Sequence, residues 1–135
     1  MNKTAYKTFL ATIASGLAMW VVAGLWHNLV LPAVNSSAEA HHEGLIEMLI
    51  AYLILAGLMT YFYTTARKDR VFAAGLLTGV LVGFLWVFPH GLTMAGAHQT
   101  PILTEMKNAI WHCFEQGVGG VIIALIKRKE GFVSA

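Results

Sequence analysis

The chain has little charge, one cysteine and three prolines. Only 12% of its 135 residues are Asp, Glu, Lys or Arg, where soluble domains average about 25%. With 57% hydrophobic residues and a mean hydropathy of +0.64, that scarcity argues against an ordinary soluble enzyme, a disordered segment or a nucleic-acid-binding module. Cys113 is the sole cysteine, which excludes an intramolecular disulfide and a cysteine-based zinc site. No glycine-rich phosphate loop follows a strand pattern, and no Ser-His-Asp order has a supporting context. Cys113 points about 100° away from its neighbour His112 on a helix, which argues against a Cys-His dyad.

What the chain does have is long apolar runs. A membrane-spanning helix needs about 20 such residues. Thr8 to Leu31 holds no Asp, Glu, Lys or Arg, Met48 to Ala66 is a second run, and Val71 to Pro89 a third. Asn108 to Ile126 is a fourth, interrupted by His112 and Glu115. The expected fold is an all-α integral membrane protein in one domain. It is an up-down bundle of four transmembrane helices at about residues 8–31, 44–66, 71–89 and 106–126. Pro32 and Pro89 read as helix stops at the outer ends of the first and third spans. Asn35-Ser36-Ser37 reads as turn chemistry leading into the second helix, and Pro101 falls near the first turn of the fourth.

Orientation follows from the basic residues. Lys3 and Lys7 precede the first span, Arg67, Lys68 and Arg70 fill the link between the second and third, and Lys127, Arg128 and Lys129 follow the fourth. Only Lys107 lies on the other side. Both termini are expected in the cytoplasm, with the links around Pro32–Glu43 and His90–Lys107 facing outward. The expected location is a plasma membrane of the bacterial inner-membrane type. The first span is too long for the 7 to 15 residue apolar core of a signal peptide, so it is expected to stay despite Ala38-Glu39-Ala40 beyond it.

Gly75, Gly79 and Gly83 recur every four residues on the third span, and Gly117, Gly120 and Ala124 form a looser stripe on the fourth. Small residues at that spacing let helices approach closely, and packing inside one bundle is expected ahead of homodimerisation. Short likenesses between the two halves, such as Gly24-Leu25-Trp26 and Gly83-Phe84-Leu85-Trp86, are read as chance similarity between apolar helices.

The informative residues are the ionisable ones, because such groups are costly in hydrocarbon and mark functional sites. All six histidines, His27, His41, His42, His90, His98 and His112, fall in the outer half or the outer links. His27 lies about 6 Å and His112 about 7 to 8 Å below the outer boundary. Each helix is thus expected to contribute to one outer layer: His27, Glu43 or Glu47, His90, and His112 with Glu115. Imidazole and carboxylate together suit a transition metal ion such as Fe, Cu or Zn. Two histidines at similar depth also allow a haem, with His27, His112 and Glu115 as the core of the site. Di-iron bundles carry Glu-x-x-His on two helices, but this chain has one His-x-x-Glu, so that pattern is not reproduced. Met94 with His90 and His98 forms a further copper-type donor set in the second outer link, and His41, His42 and His98 read as link residues.

The leading expectation is a membrane bundle holding a metal or haem cofactor. The alternatives are an interaction subunit of a larger membrane complex and a small oligomeric proton or cation transporter. The expected surroundings are the lipid bilayer, with partner membrane proteins or further copies of the chain, and no nucleic acid. An unperturbed histidine titrates between pH 5 and 8. Six on the outer side should therefore make stability or binding change across that window, and a flat thermal-stability profile from pH 5 to 8 would contradict this.

Overall fold

The computed structural model describes residues 2–30, 44–65 and 71–128. They form four helices: α1 (Lys3–Leu25), which continues into a π-helical turn (Trp26–Val30), α2 (Leu45–Thr65), α3 (Val71–His98) and α4 (Ile102–Lys127). Each is long and apolar enough to cross a bilayer, and the chain is an integral membrane protein by that measure. Large apolar side chains such as Ile46, Leu85 and Ile110 point away from the bundle, which suits lipid and would be a liability in water. The expected turn at Asn35-Ser36-Ser37, Pro32, Ala38-Glu39-Ala40, His41, His42 and Glu43 lie outside the described residues.

Contacts along each pair fix an antiparallel arrangement. Thr12 donates to Thr60 Oγ1 at 3.3 Å, and the Trp20 indole donates to the Leu45 carbonyl at 3.1 Å, pairing the end of α1 with the start of α2. Lys127 Nζ donates to Thr8 Oγ1 at 2.8 Å and Ser15 Oγ to the Gly119 carbonyl at 3.0 Å, pairing α1 with α4. Helix α1 lies between α2 and α4, α4 between α1 and α3, and α1 does not touch α3 among the described residues. The bundle does not close evenly. The pairing of α3 with α4 is extensive, whereas α2 meets α3 and α4 only sparsely.

The α3–α4 pairing is built from glycine. A Cβ at Gly75 would collide with the Gly120 carbonyl, one at Gly79 with the Gln116 carbonyl, and one at Gly83 would sit 2.6 Å from the His112 carbonyl. The stripe expected to pack inside the bundle does so, backbone against backbone. On an adjacent face of α4, Gly119 faces Met19 and Ser15 of α1. With neighbours on two faces, α4 is the most enclosed helix: 44% of its span is buried, against 22% for α2 and α3. The apolar core, including Ala11, Met19, Ala56, Met59, Ile123 and Ala124, lies among α1, α2 and the second half of α4.

The third span does not stop at Pro89. Helix α3 runs through it for nine more residues, to His98. Proline removes one backbone donor and strains the preceding turn, yet neighbouring helices and nearby hydroxyls let membrane helices continue. Thr93 Oγ1 donates to the Pro89 carbonyl at 3.1 Å one turn on. The helix ends instead where Gln99 takes a positive φ of 57°, a left-handed residue of the kind that terminates helices. Pro101 stands directly before α4 as expected. The second outer link therefore shrinks from about His90–Lys107 to 99–101, and His90, Met94 and His98 lie at four-residue intervals along α3 rather than in a loop.

The glycine contact yields a direct test. Gly79→Ala should cost about 1–3 kcal/mol by overpacking, read as earlier thermal or SDS-induced unfolding in mild detergent. Gly96→Ala, where an added Cβ meets nothing within 4 Å, should cost nothing. Equal behaviour of the two variants would refute the backbone contact.

Candidate functional site

Because α3 presses on the backbone of His112 and Gln116, the polar side chains of α4 turn toward α1 and α2. Glu115 and Gln116 are both 0% exposed, and the His112 side chain is 20% exposed. His112 Nδ1 lies 3.4 Å from Glu115 Oε2, one helical turn away. Gln116 Nε2 donates to Glu115 Oε1 at 3.3 Å. The Tyr52 hydroxyl of α2 faces the same carboxyl. The Trp111 indole N–H lies beside it too, but its geometry closes no hydrogen bond.

Helix α1 reaches this level with its π-helical turn. Wider turns of this kind occur mostly as single insertions at functional sites. Trp26, at its start, stacks on Trp111 with ring centroids 4.1 Å apart and planes at 17°. Asn28 Nδ2 donates to the Gly24 carbonyl at 3.0 Å, supplying a donor to a helix whose ladder is interrupted there. His27 lies on this turn, near enough to His112 for the two imidazoles to interact electrostatically.

Several of these buried groups are not satisfied. Among the described residues, His112 Nδ1, Glu115 Oε2, Gln116 Oε1, Trp111 Nε1 and Asn28 Oδ1 have no hydrogen-bond partner. Each such group costs about 1–3 kcal/mol, so the cluster is an expensive way to join helices. Beside it lies a cavity of about 150 Å³, bounded by Met48, Ala51, Tyr52 and Leu55 of α2, Trp86 of α3, and His112 and Gln116 of α4. It exists because α2 leans on α1 and leaves its seam with α3 and α4 sparsely filled.

Of the core residues expected from sequence, His112 and Glu115 lie side by side, and His27 is within electrostatic range of His112. The wider layer is not brought together. Glu47 is exposed on the first turn of α2, and Glu43 lies outside the described residues. His90 is exposed and sits seven residues beyond Gly83, the α3 residue level with His112, about 10 Å further along the helix. The continuation of α3 through Pro89 carries it there. Nor do His90, Met94 and His98 converge, since four-residue steps along one helix separate the outer two by about 12 Å. Among the described residues, no three His, Cys, Asp or Glu side chains form a metal-ligand group.

Sequence reasoning did not assign Gln116, Tyr52, Asn28 or the Trp26–Trp111 stack to the site. Tyr52 carries no local signal, because its role depends on which face of α2 meets α4. Comparison of the chain with protein-family models, with curated proteins and with solved structures finds no match.

Proposed function

We propose that this is a small plasma-membrane protein of the bacterial inner-membrane type, with both termini cytoplasmic. It holds a ligand inside the bilayer through His112, Glu115, Gln116 and Tyr52, with His27 at the edge of the site. The carrying observation is a cavity of about 150 Å³ lined by Gln116 and His112, which have unpartnered polar atoms, as does the adjoining Glu115. Buried polar groups left unpaired by their own protein oppose folding, and ionisable groups kept at such depth mark ligand or proton sites. The orientation rests on the basic residues flanking the spans.

Haem is not carried forward for this cavity. A volume of about 150 Å³ takes one benzene ring, and the macrocycle is several times larger.

The double variant Glu115→Met/Gln116→Met separates a ligand site from a structural joint. Replacing both members of a buried polar pair by apolar groups of similar volume is often neutral or stabilising. The expected result is an unchanged or higher unfolding temperature in mild detergent. A loss of several degrees would assign the pair to helix packing and sink the proposal.

A further inference from the structure

We infer that the ligand is a lipid-soluble molecule with a single hydroxylated aromatic ring, of the phenol or hydroquinone class, whose ring enters from the bilayer between α2 and α3. The inference rests on the reading of this cluster as a ligand site and specifies what fills it.

Size sets the first limit. A cavity of about 150 Å³ matches the volume of an engineered apolar cavity that holds benzene. It has room for one ring. The walls set the second. Met48, Ala51, Leu55 and Trp86 offer apolar and aromatic surface, while Tyr52, His112 and Gln116 supply the polar side. A ring with polar substituents is apolar on its faces and polar at its edge. Methionine sulfur and tryptophan both favour aromatic neighbours. A charged ligand would lose its hydration against these walls.

Hydrogen-bonding direction then selects among rings. The Gln116 amide gives one of its two N–H donors to Glu115 Oε1, and its Oε1 is an acceptor, fully buried and unpartnered. That stranded acceptor calls for a ligand that donates. A phenol or hydroquinone hydroxyl donates to Gln116 Oε1. A quinone or an aryl ether has acceptors only, and meets the amide oxygen with repulsion.

The route is set by the uneven closure of the bundle. Trp86, on the cavity wall, is 63% exposed, and α2 meets α3 along only a sparse seam. The cavity mouth therefore faces the bilayer sideways, and a ring seated in it leaves its alkyl tail among the lipid chains.

The test uses the full chain in phosphatidylcholine vesicles, with 2-decyl-1,4-hydroquinone kept reduced, 4-decylphenol, 2-decyl-1,4-benzoquinone and 2-decyl-1,4-dimethoxybenzene as probes. Binding is read from saturable tryptophan quenching above the partitioning seen in protein-free vesicles, and from thermal stabilisation. Expected is saturable binding of the hydroquinone or the phenol, with the quinone and the dimethyl ether weaker by at least about tenfold, the scale of one stranded hydrogen bond. Which hydroxylated probe binds more tightly tells the two sources apart. Gln116→Met should weaken the hydroxylated probes by a similar factor while keeping the helical circular dichroism of the parent. Should that variant not fold, Ala51→Phe fills the cavity from its lipid-exposed rim and should abolish binding. Equal binding of all four probes, no saturable binding, or binding indifferent to both variants overturns the inference. If the Glu115→Met/Gln116→Met protein keeps its stability in that event, only the ligand class fails, whereas destabilisation of that protein removes the site itself.

Discussion

The backbone contact between α3 and α4 governs the rest of the molecule. Three glycines on α3 meet the carbonyls of His112, Gln116 and Gly120 with no side chain between them. That fixes both the distance between the helices and the rotation of α4 about its own axis. One face of α4 is thereby committed to α3 and another, at Gly119, to α1. The side chains of His112, Glu115 and Gln116 then have one sector left, toward α2. In hydrocarbon, where lipid tails match leucine in polarity, such close approach replaces the hydrophobic drive that holds soluble bundles together.

The polar cluster makes physical sense only against that rigidity. A buried carboxyl, an amide and an imidazole share few hydrogen bonds and leave several atoms unsatisfied. A loosely packed helix would rotate to relieve them. Here the glycine contact holds α4 in place, so the unsatisfied atoms persist beside a cavity. The Trp26–Trp111 stack closes the α1 side of the same level, and the thin seam with α2 leaves the remaining side open.

The spans were legible because apolar length and basic flanks are properties of the chain alone. The glycine stripe was legible as well, since Gly75, Gly79 and Gly83 repeat at helical spacing whatever the partner is. The end of α3 was misread because Pro89 stops helices in water more reliably than in a bundle where other groups take up the slack. That one error placed His90 in the same layer as His112. Depth counted from a supposed helix end inherits any mistake about that end. His112 and Glu115 stood out because charge is rare in this chain. Tyr52 and Asn28 did not, because polar but uncharged residues are common at helix interfaces and only cross-helix geometry gives them a role.

The unequal helices on either side of the cavity have a mechanical consequence. Helix α2 has 21 residues, about 31 Å, close to the hydrocarbon thickness of a bilayer. Helix α3, continuous through Pro89, has 28, about 42 Å. A wall that matches the bilayer stays upright in it, while one that exceeds it projects or tilts. The seam between α2 and α3 is where those two adjustments meet, and few side chains there resist a change of angle.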